Sequence, residues 1–154
     1  MTQPTTVEID EFKVIGISVR TTNQNGQSQN DIGNLWGKFI GQNLIEQIPN
    51  KNSNDIYCIY TNYESDFNGL YTTILGCKVN SFDNIPEGFI SWTIPKTKYQ
   101  VYKSTGKLPD IIVKTWTNIW QSDIIRKYIA DFDVYGQKSQ NPENAEVDTY
   151  VSIK

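Results

Sequence analysis

The sequence contains no histidine, and this absence removes several classes of active site. Nucleophilic sites of the Ser/His/Asp and Cys/His types, zinc sites of the HExxH type and histidine general bases are all excluded. Any acid–base chemistry would therefore have to use Asp, Glu, Tyr or Lys side chains.

Cysteine is also scarce, since the chain has only Cys58 and Cys77. Two thiolates cannot complete a structural zinc site by themselves, and we predict neither a metal nor a cofactor. The two residues lie on neighbouring predicted strands, so a disulfide between them is one interpretation. We expect two buried free thiols instead, as is usual in a cytoplasmic protein.

Long basic runs and long apolar runs are both missing, and the net charge is −3. A nucleic-acid-binding surface needs clustered basic side chains, so we expect no direct contact with nucleic acid. No apolar run approaches the length of a membrane span, so we expect no membrane contact. The first residues, MTQPTTVEIDEF, are too polar and acidic for a signal peptide. We therefore predict a globular protein of the cytoplasm.

Aromatic residues are abundant. Four Trp, nine Tyr and six Phe make up 12% of the 154 residues. Most rings of this kind fill hydrophobic cores, and a chain of this length can bury a sizeable one. Nine tyrosines in one small domain nevertheless raise the question of what their hydroxyl groups face.

The first half of the chain predicts a strand, a helix and a hairpin. Phe12–Thr21 is rich in β-branched residues, which is typical of a strand. Asp31 is a candidate N-cap for a helix whose apolar residues recur at i, i+3, i+4 and i+7. That stripe consists of Ile32, Leu35, Trp36, Phe39, Ile40 and Leu44. Two further strands, Ile56–Glu64 and Leu70–Val79, predict a hairpin around the turn sequence SDFNG.

Three glycines lie beside the helical stripe, at Gly33, Gly37 and Gly41. Each of them costs a helix about 1 kcal/mol relative to alanine. Their regular spacing indicates either a close approach of the helix to the sheet or to a ligand, or packing that simply tolerates them.

The second half repeats this order of elements. Phe89–Ile94 and Tyr99–Ser104 predict strands, and Asp110 is a candidate cap for a second helix. Four apolar residues of the second helix match four of the first at a constant offset of eighty: Ile112, Trp116, Ile119 and Trp120 against Ile32, Trp36, Phe39 and Ile40.

The chain ends in a further predicted hairpin, formed by Asp131–Gly136 and Val147–Lys154. In the last strand apolar and polar side chains alternate, which predicts a half-buried edge of the sheet. We therefore predict one α+β domain over residues 1–154, with two β-α-β-β repeats at about 10–80 and 88–154. Two such units can lie side by side around a pseudo-twofold axis, with a cleft between them.

The C-terminal segment also carries the strongest candidate site. Strand side chains alternate, so Phe132 and Val134 point to one face, and Asp131, Asp133 and Tyr135 point to the other. A carboxylate and an aromatic ring on one face suit a cationic or electron-poor small molecule. A solvated strand face is the alternative interpretation.

Several segments together resemble the GyrI-like effector-binding domain family, which also forms the C-terminal drug-sensing domains of some AraC-type and MerR-type regulators. The matching pieces follow the family order over nearly the whole chain: FKVIGISVR, IGNLWGKF, NGLYTTILG, IPKTKYQVY, DFDVYG and PENAEVDTYVSIK. The resemblance implies a duplicated β-α-β-β module that forms a curved antiparallel sheet with two main helices. It also implies a central pocket for small molecules, which are often cationic and aromatic.

The resemblance further implies which residues line that pocket. In drug-sensing members, a buried glutamate in a strand motif of the form Phe/Tyr-Glu-x-x meets the positive charge of the ligand. The corresponding motif here is FDVY, so this role falls on Asp133, whose side chain is shorter by one methylene. Tyr71 matches a ring-stacking tyrosine and Tyr135 a wall position. Ile32 and Ile111 fall on two other wall positions and are apolar here.

Tryptophans complete the predicted site. Trp36 and Trp116 are equivalent under the repeat, so they either flank the pocket from the two helices or pack the helices on the sheet. Trp92, on a predicted central strand, is a further candidate.

We therefore predict a small-molecule effector-binding protein, related to transcription regulators, that takes aromatic or cationic amphipathic compounds between its repeats. The residues before the first strand leave no room for a helix-turn-helix, so we expect a stand-alone form. We expect binding rather than catalysis, with two alternatives: a small hydrolase of strained-ring electrophiles, or a protein inhibitor of a larger enzyme. A homodimer and a separate protein partner both stay open.

Overall fold

The computed structural model describes residues 5–66 and 68–154, which form eight strands and two α-helices. The strands are β1 Thr5–Ile9, β2 Phe12–Thr22, β3 Ile56–Thr61, β4 Leu70–Val79, β5 Ile90–Ile94, β6 Thr97–Gly106, β7 Arg126–Tyr135 and β8 Ala145–Ile153. The helices are α1 Gln27–Gly41 and α2 Asp110–Trp120. None of the helices in these described ranges is long and apolar enough to cross a bilayer.

All eight strands join one curved antiparallel sheet in the order β1-β6-β8-β7-β3-β4-β2-β5. The central pair is β3 with β7, in which Cys58 lies opposite Asp133. Apart from the two edge strands, the strands on one side of the sheet come from the second half of the chain and those on the other side from the first half. The predicted α+β fold with a duplicated β-α-β-β module is therefore confirmed. The repeat boundaries at about 10–80 and 88–154 stay a prediction.

At each edge of the sheet, a strand from one half of the chain pairs with a strand from the other half. The strand β1, which the sequence did not reveal, pairs with β6, and β5 pairs with β2. Two sequence predictions about edges are therefore wrong. The strand β5 that carries Trp92 is an edge strand, whereas β8 lies inside the sheet between β6 and β7. The alternation in β8 arises because its two faces meet different clusters, with Val151 facing α2 and Tyr150 facing away from it.

The two faces of the sheet are covered differently. On one face all eight strands contribute to a single apolar cluster, in which Ile59, Ile74 and Phe132 are buried. The sheet therefore curves around its own side chains there. The helices cover the other face, where α1 buries Leu35 and Phe39 and α2 buries Trp116 and Ile119.

The helix α1 begins earlier than the sequence predicted. Its first residue is Gln27, preceded by Gly26 in the left-handed conformation at φ 69°, so Asp31 is not its cap. The carboxylate of Asp31 instead accepts hydrogen bonds from Thr21 Oγ1 at 2.8 Å and Gln27 Nε2 at 3.1 Å. The first turn carries no apolar residue, which is why an apolar period could not reveal it.

The three regularly spaced glycines of α1 do not touch the sheet. A Cβ atom added at Gly33, Gly37 or Gly41 would meet no neighbour within 4 Å. Close approach of α1 to the sheet is therefore not the reason for them. All three glycines are exposed, and Gly33 lines the cleft described below.

Candidate ligand-binding cleft

A cleft lies between the two helices on the helix-covered face of the sheet, beside the central strands β3, β4 and β7. Its volume is about 890 Å³, which is within the range of small-molecule pockets. Both halves of the chain contribute to it. Seven of the described lining side chains are aromatic: Trp36, Tyr60, Tyr63, Tyr71, Trp116, Trp120 and Tyr135.

The rings form a continuous wall along one side of the cleft. Trp116 packs edge-on against Tyr60, with ring centroids 5.4 Å apart. Tyr60 in turn meets Tyr71 at 6.1 Å, and Tyr71 meets Tyr63 at 5.7 Å. Such a wall can stack planar groups and can hold a cation over a ring face.

The carboxylate of Asp133 lies behind this wall and has no exposed surface. It accepts hydrogen bonds from Tyr60 Oη at 3.0 Å, from Trp116 Nε1 at 3.2 Å and from the Thr149 hydroxyl. Two of the rings that line the cleft are thus bound to the carboxylate through their polar ends. The interpretation of this strand face as solvated is wrong.

Burial raises the pKa of Asp133 to about 6, although its three hydrogen bonds act in the opposite direction. Burial also raises the pKa of the Tyr60 phenol well above its usual value, and the nearby Cys58 and Asp133 raise it further. At neutral pH the cleft therefore has an ionised carboxylate behind a neutral phenol. A positive charge in the cleft would stabilise the ionised form of Asp133.

The opposite wall of the cleft has a similar construction without a carboxylate. Trp36 packs edge-on against Tyr135 at 4.9 Å. The thiol of Cys58 is buried nearby and donates to Tyr60 Oη at 3.3 Å. Burial raises the pKa of this thiol, and hydrogen bonds with Tyr60 and Trp36 only partly oppose that rise. This wall is therefore neutral.

Arg126 is the one lining side chain of the cleft, among the described residues, that carries a formal charge. Its Nη2 donates to Asp131 Oδ2 at 2.7 Å. The same carboxylate accepts hydrogen bonds from the Tyr63 hydroxyl and from the backbone N–H of Ser152 at 2.8 Å. Asp131 thus has a cationic partner, in contrast to Asp133.

An irregularity in β7 brings this ion pair together. Residues five apart in a regular strand point to opposite faces. Between Arg126 and Asp131, however, β7 shifts its register with β8, and Tyr128 adopts a φ of 57°. The shift places both side chains on the same side of the sheet, as a β-bulge does.

A second cavity, of about 940 Å³, lies on the far side of Trp36 and Tyr135, which line both spaces. These two rings are its only aromatic lining among the described residues, and Glu46 and Asp55 add carboxylates. The cleft gathers more rings and has a buried carboxylate behind them, so it is the better candidate for a ligand. No group of three or more Cys, Asp or Glu side chains in residues 5–66 and 68–154 could hold a metal ion.

The structure brings most of the predicted site residues together. Five of them line the cleft: Ile32, Trp36, Tyr71, Trp116 and Tyr135. Asp133 lies directly behind the wall, and contact of all six with a ligand stays a prediction. Trp92 does not line the cleft, because β5 turns its indole to the other face of the sheet. Ile111 is also outside the lining, and its side chain lies against Gly106.

Other lining residues were missed from the sequence, chiefly Tyr60, Tyr63 and Arg126. A signal for Tyr60 did exist: the strand sequences IYCIY and DFDVY align at an offset of 75, which makes Tyr60 the counterpart of Tyr135 in the other repeat. Nothing in the sequence pointed to Arg126, because its position depends on the register shift in β7.

Comparisons with known proteins identify the family of this chain. A model of the family described as integron-associated effector binding protein, Cass2, matches residues 5–153. The chain belongs to the Cass2 family. Among its relatives, YobU of Bacillus subtilis (strain 168), named as a transcriptional regulator protein, is 30% identical over 151 residues, which cover 95% of this chain and 94% of YobU.

Solved structures show the same fold. The integron cassette protein VCH_CASS2 from the mobile metagenome of Vibrio cholerae is 29% identical, with a TM-score of 0.76 over 98% of this chain and 95% of that protein. SAV2435, solved bound to tetraphenylphosphonium, has a TM-score of 0.81 at 16% identity, over 99% of this chain and 94% of SAV2435. This Cass2 protein is thus an effector-binding domain related to transcription regulators.

Proposed function

We propose that this Cass2 protein binds small aromatic compounds that carry a positive charge, in the cleft between its two helices, as the ligand-sensing part of a regulatory response. The observation that carries the proposal is the carboxylate of Asp133, which is fully buried and bound to Tyr60 and Trp116. Both rings line the cleft.

The carboxylate acts on the ligand through these rings. A cation over the face of Tyr60 or Trp116 is attracted by the ring and, at short range, by the charge behind it. Hydrogen bonds to a carboxylate also push electron density into both rings. The ligand charge thereby offsets part of the desolvation cost of a buried carboxylate.

The balance of buried charges supports a cationic ligand. Asp131 and Arg126 neutralise each other at 2.7 Å, whereas Asp133 has only neutral hydrogen-bond donors. Around the cleft the negative charge therefore exceeds the positive charge. The structural neighbour SAV2435, which is solved with tetraphenylphosphonium, supports an aromatic cation as the ligand class.

Two ions of the same shape and opposite charge test the proposal. We expect tetraphenylphosphonium to bind and to quench tryptophan fluorescence, and tetraphenylborate to bind at least about a hundredfold more weakly, because it would meet the buried carboxylate. Asp133→Asn should weaken phosphonium binding roughly tenfold or more, since it removes the charge and keeps the side-chain shape.

The exposed residue Asp83, which does not line the cleft, provides the matched control. Asp83→Asn removes the same charge from the protein and should leave both affinities unchanged. Equal binding of the two ions to the wild type, or an undiminished phosphonium affinity in Asp133→Asn, would rule out the charge role of Asp133. Isothermal titration calorimetry measures all of these affinities.

A further inference from the structure

The guanidinium of Arg126 has unused hydrogen-bonding capacity. Arg126 lines the cleft, and only 9% of its surface is exposed. Its Nη2 is bound to Asp131, but its Nε and Nη1 are buried and meet no acceptor in hydrogen-bonding geometry among the described residues. Buried donors of a charged group are normally satisfied, so these two call for a partner.

Neighbouring rings hold the guanidinium in place. Its Cζ lies 4.4 Å from the ring centroid of Tyr128 and 5.6 Å from that of Trp116. Arg126 opposes the burial-driven rise in the pKa of the Tyr128 phenol both by its charge and by a side-chain hydrogen bond. Neither Nε nor Nη1 has a partner that meets the geometry of a normal hydrogen bond, among the described residues. Held between two rings and Asp131, Arg126 cannot turn its free N–H groups to solvent without losing these contacts.

We propose that Arg126 forms a second binding position in the cleft, which takes a neutral carbonyl-type oxygen of the ligand. This inference rests on the proposed function, and it narrows the ligand class to aromatic cations that carry an ester, amide or ketone. The carbonyl oxygen accepts from Nε or Nη1 and supplies the missing partner.

Charge balance decides between a neutral oxygen and a carboxylate. Asp131 already neutralises Arg126, and Asp133 adds a further negative charge to the same region. With Arg126 paired to Asp131 and the positive centre of the ligand attracted to Asp133, a ligand carboxylate would be a third anion against two cations, and the repulsion would oppose its binding. A carbonyl oxygen provides the acceptor without adding charge.

The two binding positions lie close to each other because both adjoin the indole of Trp116. Its Nε1 is 3.2 Å from Asp133 Oδ1, and its ring is 5.6 Å from the Arg126 Cζ. One ligand can therefore reach both positions if its oxygen lies about one aromatic ring away from its positive centre.

Three benzyltriphenylphosphonium ions that differ only in the para substituent of the benzyl ring test this inference. The substituents are methyl, methyl ester and carboxylate. For the wild type we expect the methyl ester to bind about tenfold more tightly than the methyl compound, because it bonds to a charged donor. The carboxylate should bind no more tightly than the methyl compound.

Arg126→Lys provides the matched variant, since it keeps the charge beside Asp131 but lacks a second donor directed as Nε and Nη1 are. The preference for the ester over the methyl compound should fall to about one, whatever change the substitution makes to the affinity for the methyl compound itself. The affinity for the ester divided by that for the methyl compound is compared between the wild type and Arg126→Lys. The difference in desolvation between the two compounds contributes equally to both ratios and therefore cancels. Calorimetry provides the affinities, and thermal unfolding checks that the variant is folded.

The outcomes separate this inference from the proposed function. If none of the three ions binds the wild type, the proposed function fails. If all three bind equally, the role of Arg126 is refuted while a cation site remains, and this holds even if Arg126→Lys does not fold. Tighter binding of the carboxylate than of the ester would also overturn the inference, because it would identify an anion site.

Discussion

The two walls of the cleft are built from equivalent residues and differ in one buried group. On one wall Trp116 packs edge-on against Tyr60 at 5.4 Å, and on the other Trp36 packs edge-on against Tyr135 at 4.9 Å. Each pair joins a helix of one half of the chain to a strand of the other half. The strand sequences IYCIY and DFDVY align so that Cys58 on β3 corresponds to Asp133 on β7.

This difference makes a symmetric scaffold electrically asymmetric. The thiol of Cys58 stays neutral because burial raises its pKa, whereas Asp133 has a pKa of about 6 and is ionised at neutral pH. The neighbours differ accordingly, since Asp133 faces Thr149 on β8 and Cys58 faces Leu75 on β4. Duplication thus supplies the aromatic walls, and divergence at one position supplies the charge.

The largest expected effect comes from placing a carboxylate in the neutral wall, which tests the difference between the two walls. Cys58→Asp should lower the free energy of unfolding at pH 7 by about 3–5 kcal/mol, because the new buried carboxylate would lie directly opposite Asp133 and Leu75 offers it no hydroxyl donor. Cys58→Ser, which adds a polar group without charge, should cost only about 1–2 kcal/mol. Urea unfolding measures both values, and equal losses would contradict the assigned difference between the walls.

The charged wall should also make stability depend on pH. Burial raises the pKa of Asp133 from 3.8 to about 6, so between these values the native state binds a proton that the unfolded chain releases. Stability should therefore fall as pH rises through this window, by about 3 kcal/mol from this group. The same unfolding experiments on Asp133→Asn should lack this contribution, and parallel pH profiles of the two proteins would argue against it.

A smaller effect is expected from the hydroxyl that supports the carboxylate. Thr149→Val keeps the shape of the side chain but removes a hydrogen bond to Asp133, and should cost about 1–2 kcal/mol. Thr73 on β4 is the control, since its hydroxyl is buried without a partner among the described residues. Thr73→Val should be neutral within about 0.5 kcal/mol or stabilising. Similar costs for the two variants in chemical unfolding would count against a special role of Thr149.

The smallest expected effect is the difference in stability between the phenylalanine variants of Trp116 and Trp36. Trp116→Phe removes a donor to an ionised carboxylate, whereas Trp36→Phe removes a weaker contact with a thiol. Because both changes replace the same side chain, we expect Trp116→Phe to be more destabilising by about 1 kcal/mol. Thermal and urea unfolding give the difference, and a larger loss for Trp36→Phe would reverse the assignment of the two walls.

The orientation of the β7 side chains could be predicted from the sequence because it depends on local periodicity. The fold could be predicted because the order of elements repeats and resembles that of a known family. Phe132 and Val134 alternate with Asp133 and Tyr135 as expected, and the helical stripes place Trp36 and Trp116 on facing helices. What the sequence could not predict depends on contacts between distant segments.

Three such contacts explain most of the differences. The strand β1 is short and pairs with β6, about ninety residues away in the chain, so a local pattern could not identify it. Trp92 lies in a strand with ordinary alternation, and only its pairing with β2 determines which face it joins. Arg126 reaches the cleft through a register shift that reverses the side predicted by simple alternation.

Proton release on ligand binding is the most direct test of the central claim, that the buried carboxylate responds to the charge of the ligand. Tetraphenylphosphonium carries no titratable proton, so calorimetry at pH 6 in buffers of different ionisation enthalpy counts protons that leave the protein. Since Asp133 has a pKa of about 6, we expect about half a proton to be released per ligand as the cation lowers that pKa. Asp133→Asn should release none. Binding to the wild type without proton release would contradict the claim.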